Sequence, residues 1–417
     1  MAKKETQRII HVYADWQELG GPVLIGLLKS TQYRKEVFSF EYDEAWLKSH
    51  AQMLDPDLQL LKGAQYLNTE KTNFGMFTDS SPDRWGRVLM DRREAVYARI
   101  EKRMQKTLWE TDYLLGVFDG HRMGALRFKE NSEGPFLNNN KEMASPPWTS
   151  LRELEHASVE LEKDGDDEGR LKWLNMLIAP GSSLGGARPK ASVVDPEGGL
   201  WIAKFPSLKD AVDVGAWEMV VHDLARQAGL RVPSCQTGKF FSAQHTFLTK
   251  RFDREGTSRI HFASAMTLLG YSDGYGHKNG VSYLELAEFI IRNGASVGED
   301  LEELWRRIVF YICVSNTDDH LRNHGFLLTG KGWRLSPAFD INPVRKAVGL
   351  HLNISEKDNS LDLNLALEVA PYFRLSNKRS QEIMIAVTES VKNWNAVAEK
   401  YRISKSERDL MAEAFRF

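Results

Sequence analysis

The sequence has little cysteine, no long apolar run and almost no net charge. Only Cys235 and Cys313 occur among 417 residues, which excludes a disulfide framework and a thiolate metal cluster and suits a reducing compartment. Apolar runs such as residues 308–314 are far shorter than the roughly 20 residues needed to cross a bilayer. The basic N-terminus lacks the apolar region of a signal peptide. We therefore expect a cytoplasmic protein with no membrane partner.

The charges are balanced, which limits the partners that the chain can attract by itself. Lys and Arg number 55 against 57 Asp and Glu, for a net charge of −2. No overall field therefore pulls the molecule onto DNA, RNA or an anionic membrane. The composition, 42% hydrophobic and 27% charged, is that of an ordinary globular protein. The length suffices for about two or three packed units.

Turn-forming and periodic segments divide the chain into successive parts. We predict a mixed α/β subdomain over residues 1–130 and a linker over residues 131–148, which is rich in Asn, Pro, Gly and Ser. Residues 149–258 predict a lobe with a glycine-rich loop, a strand hairpin and a helix. Residues 259–417 show mainly helical spacing with one strand-like insert. Within the first part, strands are predicted at residues 9–14, 22–28 and 37–42.

The segment with the clearest chemistry runs from Asn316 to Asn323 and reads Asn-Thr-Asp-Asp-His-Leu-Arg-Asn. Phosphoryl transfer needs a carboxylate near the attacking hydroxyl, and an amide and a second carboxylate that hold magnesium against the nucleotide phosphates. Asp318, Asn323 and, after a predicted strand pair, Asp340 supply these groups in the order found in kinases. The plain alternative is a polar loop whose Asp and Asn side chains only form turns and helix caps.

Further features occur upstream, again in kinase order. The glycine-rich segment 181–190, with Gly185 and Gly186, can bring backbone N–H groups against phosphate oxygens. Lys204 lies in a strand-like stretch from which its ammonium can reach a nucleotide, and Glu218 lies in a predicted helix from which it can hold Lys204 by an ion pair. Each feature alone has a structural explanation without function: the glycines can form a turn, the lysine can lie on an exposed edge strand, and the glutamate can be a solvated helix carboxylate. Their joint order favours ATP-dependent kinase chemistry.

Several motifs resemble those of the HipA-like serine/threonine kinase toxins. They are the segment from Asn316 to Asn323, Leu335-Ser336-Pro337-Ala338-Phe339-Asp340, Ser81-Pro82-Asp83-Arg84-Trp85-Gly86, Met123-Gly124-Ala125-Leu126-Arg127-Phe128 and Arg251-Phe252-Asp253-Arg254. The resemblance runs across most of the chain. It implies an α+β, two-lobed protein-kinase-like (HipA-like) fold, with an N-terminal mixed α/β subdomain and a mainly helical C-terminal lobe.

The resemblance also implies roles for the residues singled out. Asp318 would be the catalytic base, and Asn323 and Asp340 would bind magnesium. Lys190 and Lys204 would contact the nucleotide or order the glycine-rich loop. The implied cofactors are ATP and Mg²⁺, bound between the lobes.

Regulation and partners are likewise implied by the resemblance alone. Ser183 resembles the autophosphorylated loop serine of the family, with Ser182 as a neighbouring competitor. Members are usually paired with a small helix-turn-helix antitoxin, so DNA would be reached only through that partner. They act on translation, with an aminoacyl-tRNA synthetase as the typical protein substrate.

Two other functions are open at this point. A metal-dependent hydrolase could use the cluster of Asp318, Asp319, His320, His324 and Asp340. A helical segment would place both imidazoles on one face, although no Glu follows His320 as in zinc peptidases. More simply, His320 braces the Asp318 loop by hydrogen bonds, and we group it with the nucleotide-binding residues. A non-catalytic chain could instead regulate transcription through a DNA-binding antitoxin.

Overall fold

The computed structural model describes residues 6–417, apart from residues 51, 69, 142–143, 164–172, 175, 178–185 and 187. The chain divides into two compact units. The first contains Met1–Leu208 and Asp253–Ala263, and the second contains Lys209–Phe252 and Ser264–Phe417. The finer boundaries predicted at residues 131–148 and 258 stay predictions. Among the described residues, no helix is long and apolar enough to span a membrane.

The strands are short to medium in length and come mostly in antiparallel pairs. In chain order they are β1 (Thr6–Ala14), β2 (Val23–Gln32), β3 (Glu36–Tyr42), β4 (Gln65–Tyr66), β5 (Leu126–Lys129), β6 (Lys190–Val194), β7 (Leu200–Lys204), β8 (Cys235–Gly238), β9 (Thr246–Lys250), β10 (Arg254–Glu255), β11 (Ser258–Arg259), β12 (Phe262–Ser264), β13 (Gly325–Thr329) and β14 (Gly332–Leu335).

The helices are concentrated in the second half of the chain. In chain order they are α1 (Glu44–Ser49), α2 (Gly75–Asp79), α3 (Arg84–Ile100), α4 (Glu110–Gly116), α5 (Leu151–Glu162), α6 (Val214–Gln227), α7 (Ala265–Leu268), α8 (Tyr283–Asn293), α9 (Val297–Val314), α10 (Leu363–Val369), α11 (Asn377–Lys392), α12 (Trp394–Lys400) and α13 (Lys405–Met411).

A five-stranded antiparallel sheet organises the first unit, in the order β4-β3-β2-β1-β5. Side chains alternate across it: Ile10, Val12 and Ala14 of β1 are fully buried, whereas their neighbours lie on the other face. Opposite Ile10 in the register is Leu28, which itself lies opposite Phe40. These side chains form an apolar layer on one face of the sheet, which fixes the register of its central strands.

A segment from further along the chain, Asp253–Ala263, completes the first unit. Oδ2 of Asp253 accepts the backbone N–H of Gly124 at 2.8 Å. Gly124 has a φ of +70°, and a Cβ there would lie 3.1 Å from the backbone nitrogen of Phe262. Glycine is therefore required at this position both by the backbone conformation and by the close approach of another segment.

The hairpin of β6 and β7 belongs to the first unit and was predicted from its turn sequence. The turn is closed by Asp195, whose carboxylate accepts the N–H of Gly199 and the indole N–H of Trp201, each at 2.6 Å. Gly198 has a left-handed φ of +85°. The register pairs Lys190 with Lys204 at the open end of the hairpin. The predicted hairpin is thus confirmed, with both candidate lysines at one end.

The second unit is built around the long helix α9, which is buried on nearly every side. A helix with this burial forms the centre of a core rather than one wall of it. Helices α8 and α11 pack against it. Trp305 of α9 is fully buried and donates its indole N–H to the carbonyl of Ala366 at 2.8 Å. The hairpins β8-β9 and β13-β14 also lie in this unit.

Candidate functional site

The loop that follows α9 carries the first predicted catalytic group. The helix ends at Val314, its cap residue Ser315 has a left-handed φ of +52°, and the N–H of Asn316 bonds back to the carbonyl of Tyr311 at 2.9 Å. Asp318 follows with 63% of its side chain exposed. Asn323 donates its side-chain amide to the backbone carbonyl of Asp318 at 2.7 Å. The exposed carboxylate therefore sits on a loop that is held at both ends.

Asp319, the next residue, lies on the buried side of the same loop and is fully buried. Its carboxylate accepts hydrogen bonds from the hydroxyl of Tyr283 and from the backbone N–H of His351, the latter at 2.7 Å. Burial raises the pKa of Asp319 to about 6, although both hydrogen bonds favour the charged form. Asp319 anchors the loop from the inside, and Asp318 is left on the outside.

Asp340 follows β14 and has a left-handed φ of +57°. This conformation costs energy in a residue other than glycine and is often found at functional sites. Oδ1 of Asp340 accepts the side-chain amide of Asn342 at 3.3 Å, and the backbone N–H of Asn342 donates to Oδ1 of Asn316 at 3.1 Å. Because Asn316 belongs to the Asp318 loop, these bonds tie the two segments together. The structure thus brings Asp318, Asn323 and Asp340 into one neighbourhood of the second unit.

This neighbourhood contains oxygen atoms suited to a hard cation. Oδ1 of Asn323 and Oδ1 of Asn342 are both buried and accept no hydrogen bond from the described residues. A buried acceptor without a donor is rare, and a cation would satisfy it. In the described part of the chain, no group of three or more His, Cys, Asp or Glu could hold a metal. The amide oxygen of Asn323 and the carboxylate of Asp340 are hard oxygen ligands of the kind that suits magnesium, which keeps several waters and needs few protein ligands.

Glu218, in α6, lines the same small cavity as Asp340. The cavity has a volume of about 20 Å³, enough for one water, and its walls also include His222 and Phe339. Glu218 is 3% exposed. The predicted helix glutamate and the predicted metal-binding aspartate are therefore neighbours in the second unit. Lys204 belongs to the first unit, and its ion pair with Glu218 stays a prediction.

In the first unit, the register places the two candidate lysines opposite each other. Lys190 begins β6 and Lys204 ends β7, and residues paired in this way share one face of the hairpin. Both side chains are buried. Nζ of Lys190 pairs with Asp83 at 2.9 Å and donates to the carbonyl of Gly186 at 3.1 Å. The hairpin therefore carries two buried lysine side chains at one end, and the ammonium of Lys190 is paired there with the carboxylate of Asp83.

The glycine-rich loop is described only in part. Ser182, Ser183 and Gly185 lie outside the described residues, so the roles predicted for them stay predictions. Gly186 has a left-handed φ of +80°, a conformation that glycine adopts without strain. Its carbonyl is the acceptor for Lys190. Lys190 is therefore hydrogen-bonded to the glycine-rich loop at Gly186, whereas its predicted contact with a nucleotide stays a prediction.

His320 does not form the hydrogen bond to the Asp318 loop that the sequence suggested. Its Nε2 lies 3.7 Å from Oδ1 of Asp318, beyond hydrogen-bond distance. Its ring packs edge-on against that of His351, with the centroids 5.9 Å apart. The loop is braced instead by the side-chain amide of Asn323, which donates to the carbonyl of Asp318, and by the carboxylate of Asp319, which accepts the N–H of His351.

The residues considered for metal-dependent hydrolysis do not gather around a metal position. Residues 321–323 form a 3-10 turn rather than an α-helix, so His320 and His324 do not share a helix face. His324 is fully buried, and its Nε2 lies 3.2 Å from the backbone carbonyl of Asp319. Burial lowers the pKa of His324 to about 3. The geometry gives no support to the hydrolase alternative.

Sequence reasoning missed the parts played by Asn316, Asn342 and Asp83. Asn316 and Asp83 lie inside motifs that were noticed for another reason, and Asn342 lies two residues after such a motif. The sequence did offer one signal for these residues, namely a polar residue in or near a motif. Its partner could not be identified, because hydrogen-bond partners distant in sequence leave no trace in one sequence.

Comparisons with known proteins assign the family. The sequence model of the HipA-like C-terminal domain matches residues 182–395, slightly more than half of the chain. This chain therefore belongs to the HipA-like C-terminal domain family, and the resemblance drawn from its motifs is confirmed.

Curated relatives are more distant. A Haemophilus influenzae protein named "Putative kinase" is 25% identical over 183 residues, which cover 39% of this chain and 53% of the relative. A Sinorhizobium fredii protein named "Putative kinase Y4dM" is 24% identical over 220 residues, which cover 48% of this chain and 52% of the relative. The chain thus spans about half the length of the curated relatives it matches.

A solved structure shares the fold over nearly the whole chain. It is a chain of the Shewanella oneidensis MR-1 toxin–antitoxin complex of HipA, HipB and operator DNA. The TM-score is 0.65 at 16% identity, with 97% of this chain and 94% of that chain covered. The match confirms the predicted α+β, two-lobed HipA-like fold.

Proposed function

We propose that this chain is an ATP- and magnesium-dependent protein serine/threonine kinase and the toxin of a toxin–antitoxin pair. The observation that carries the proposal is one neighbourhood with an exposed Asp318 carboxylate, a buried Asn323 oxygen that accepts no hydrogen bond from the described residues, and Asp340 in a left-handed conformation. Membership of the HipA-like family supports it. So do the kinase names of two relatives.

The exposed position of Asp318 fits the role of the base that orients the acceptor. Its carboxylate would accept a hydrogen bond from a Ser or Thr hydroxyl of the substrate and direct it toward the phosphate. A folded protein substrate must reach this group from solvent, and the 63% exposure of Asp318 permits that. Asn323 and Asp319 keep the loop in place while the hydroxyl binds.

The remaining groups would hold the nucleotide. Asn323 and Asp340 would bind magnesium, which when bound neutralises charge on the phosphates. Lys204 and Lys190 would contact the nucleotide phosphates or order the glycine-rich loop, and backbone N–H groups of that loop would orient the phosphates. Catalysis would then consist of positioning and charge stabilisation, as is usual for phosphoryl transfer.

The test is transfer of label from γ-labelled ATP to the proteins of a cell extract. Purified wild-type chain is compared with Asp318→Ala. We expect labelled bands with the wild type and a loss of roughly a thousandfold or more in rate with the variant, because the group acts mainly in the transition state. Mass spectrometry of the labelled bands then identifies the substrate and the acceptor residue. Equal labelling by both proteins contradicts the proposal, and a non-catalytic regulatory chain predicts no labelling by either.

We also propose that a serine of the glycine-rich loop regulates the activity, with Ser183 as the first candidate and Ser182 as the second. A phosphate on this loop adds about two negative charges near the nucleotide phosphates, and the repulsion would displace the loop. The measurement is mass spectrometry of protein incubated with ATP and magnesium. Activity should fall as the serine becomes modified. Persistent activity with no modified loop serine opposes the proposal.

The proposed partners are a small helix-turn-helix antitoxin and a substrate from translation, of the aminoacyl-tRNA synthetase class. The Shewanella oneidensis assembly, which contains HipB and operator DNA with HipA, supports the antitoxin. The net charge of −2 gives this chain little affinity for DNA by itself. In gel-shift experiments we expect binding to operator DNA only when the antitoxin is present. Tight binding by the chain alone would oppose this assignment.

A further inference from the structure

The motif from Ser81 to Gly86 has no part in the proposed mechanism, yet it holds a buried carboxylate. Oδ1 of Asp83 caps α3 by accepting the N–H of Gly86 at 2.8 Å. Oδ2 of Asp83 pairs with Nζ of Lys190 at 2.9 Å, and both side chains are 3% exposed. Desolvation offsets much of the attraction in such a buried pair, so added stability does not by itself explain its presence.

Lys190 is attached to the same helix by its backbone. Nε1 of Trp85 donates to the carbonyl of Lys190 at 3.1 Å. The first turn of α3 and its cap thus hold both ends of the lysine, the backbone through Trp85 and the ammonium through Asp83. The ammonium in turn donates to the carbonyl of Gly186 at 3.1 Å. A continuous set of hydrogen bonds therefore joins the start of α3 to Gly186 of the glycine-rich loop.

Lys190 and Gly186 are in close contact. Gly186 has a φ of +80°, and a Cβ there would lie 3.7 Å from Nζ of Lys190. Lys190 also lies opposite the buried Lys204 in the hairpin register. Removal of the Asp83 charge would leave Lys190 with less countercharge beside another buried cation. This favours movement of the ammonium to solvent, and the carbonyl of Gly186 would then lose a fixed donor.

We propose that Asp83 is a positioning residue for nucleotide binding. It holds Lys190 so that the ammonium fixes the glycine-rich loop at Gly186. The inference rests on the proposed kinase function, since it assumes that this loop faces a nucleotide. Asp83 itself does not touch the nucleotide in this account. It acts only through Lys190.

The variant Asp83→Asn tests the proposal, because asparagine keeps the cap of α3 but removes the charge. In the full chain we expect the dissociation constant and the KM for magnesium-ATP to rise roughly tenfold or more, while kcat at saturating ATP changes by less than about threefold. The matched control is Asp43→Asn, which changes the aspartate that caps α1 and should alter neither constant. A folded Asp83→Asn protein with wild-type affinity for ATP overturns the proposal.

Two further measurements keep the proposal testable. If Asp83→Asn does not fold, the double variant Asp83→Leu/Lys190→Met, which removes both buried charges, is compared with Lys190→Met. Equally weak ATP binding by both supports the proposal, because Asp83 then acts only through Lys190, whereas wild-type binding by either variant or clearly weaker binding by the double variant overturns it. Hydrogen exchange of the peptide from Gly186 to Lys190 needs no ATP and should be faster in Asp83→Asn than in wild type or Asp43→Asn. If the wild type binds no ATP, the proposed function fails, and exchange still decides whether Asp83 holds the loop. If the exchange rate of this peptide is the same in Asp83→Asn and wild type, Asp83 does not hold the loop at Gly186.

Discussion

At the scale of single residues, the adjacent carboxyls of Asp318 and Asp319 differ in burial and therefore in what they can do. The side chain of Asp318 is largely exposed. Asp319 is fully buried and accepts hydrogen bonds from Tyr283 and from the backbone of His351. The position of the first carboxylate depends on the anchoring of the second.

Replacement of Asp319 should therefore affect stability and turnover together. Asp319→Ala leaves the Tyr283 hydroxyl and the His351 N–H without their acceptor, and we expect the free energy of unfolding to fall by about 2–4 kcal/mol. Turnover should fall roughly tenfold or more, because Asp318 is displaced. Tyr283→Phe removes one donor and leaves the acceptor, so its effects should be smaller. Urea unfolding and initial rates measure both quantities, and equal effects of the two variants would contradict the anchoring role.

A buried histidine of the first unit should make that unit sensitive to acid. His261 is fully buried, its ring stacks on that of Trp16 at 5.4 Å, and burial lowers its pKa from 6.5 to about 3. Because the folded-state pKa is the lower one, the stability that this residue contributes is present above the unfolded value and is lost as the pH falls through it. Between about pH 7 and pH 5 the loss should be about 2 kcal/mol.

The variant His261→Phe keeps a ring against Trp16 but does not titrate. It should therefore lose less stability than the wild type over the same pH interval. Unfolding midpoints of both proteins at neutral and mildly acidic pH provide the measurement. The same loss in both proteins would show that acid sensitivity has another source.

At the scale of elements, the segments around α4 are held by one buried guanidinium. Arg122 is fully buried and donates to the carbonyls of Ser80 and Leu114 at 2.7 Å and of Val117 and Leu137 at 3.0 Å. These carbonyls come from separate stretches of the first unit. Hydrogen bonds from a single side chain thus replace regular secondary structure as the link between them.

Arg122→Leu removes all of these donors and leaves buried carbonyls without partners. We expect the free energy of unfolding to fall by about 3–5 kcal/mol. The control is Arg103→Leu, since Arg103 pairs with Glu94 and Glu101 at the surface, where ion pairs contribute little. Urea unfolding of both variants measures the loss of free energy of unfolding for the buried and for the surface arginine. A similar change in both would contradict the structural role of Arg122.

The sequence predicted those elements that depend on local pattern. Strands expected at residues 9–14, 22–28 and 37–42 correspond to β1, β2 and β3, because alternation of apolar residues reports a half-buried strand directly. The β6-β7 hairpin was predictable because its turn residues determine its geometry. Asp318, Asn323 and Asp340 were singled out because kinase chemistry needs those residue types in that order, and their catalytic and metal-binding roles stay predictions.

Partners distant in the chain could not be predicted. Asp83 and Lys190 are 107 positions apart, and the segment Asp253–Ala263 returns to a unit formed mainly by earlier residues. Periodicity shows which face of an element is buried but not what buries it. The expected hydrogen bond of His320 to the Asp318 loop is absent for a different reason, because a single sequence does not show which of several nearby polar side chains turns toward the loop. The donor to the carbonyl of Asp318 is Asn323, five residues along the chain.

At the scale of the whole molecule, the fold extends beyond the part that the family model matches. That match begins at residue 182, whereas the likeness to the Shewanella oneidensis structure covers 97% of the chain. Lys190 and Lys204 belong to the first compact unit, and Asp318, Asn323 and Asp340 belong to the second. Each unit has its own buried core.

The rate of phosphate transfer from ATP tests the central claim most directly. It is measured with γ-labelled ATP and magnesium for the wild type, Asp318→Ala, Asp340→Asn and the control Asp409→Ala, which removes an exposed carboxylate of α13. Asparagine tolerates the left-handed backbone at position 340, so that variant should fold. The account predicts losses of roughly a thousandfold or more for the first two variants and no loss for the control. Transfer at the wild-type rate by Asp318→Ala or Asp340→Asn would contradict it.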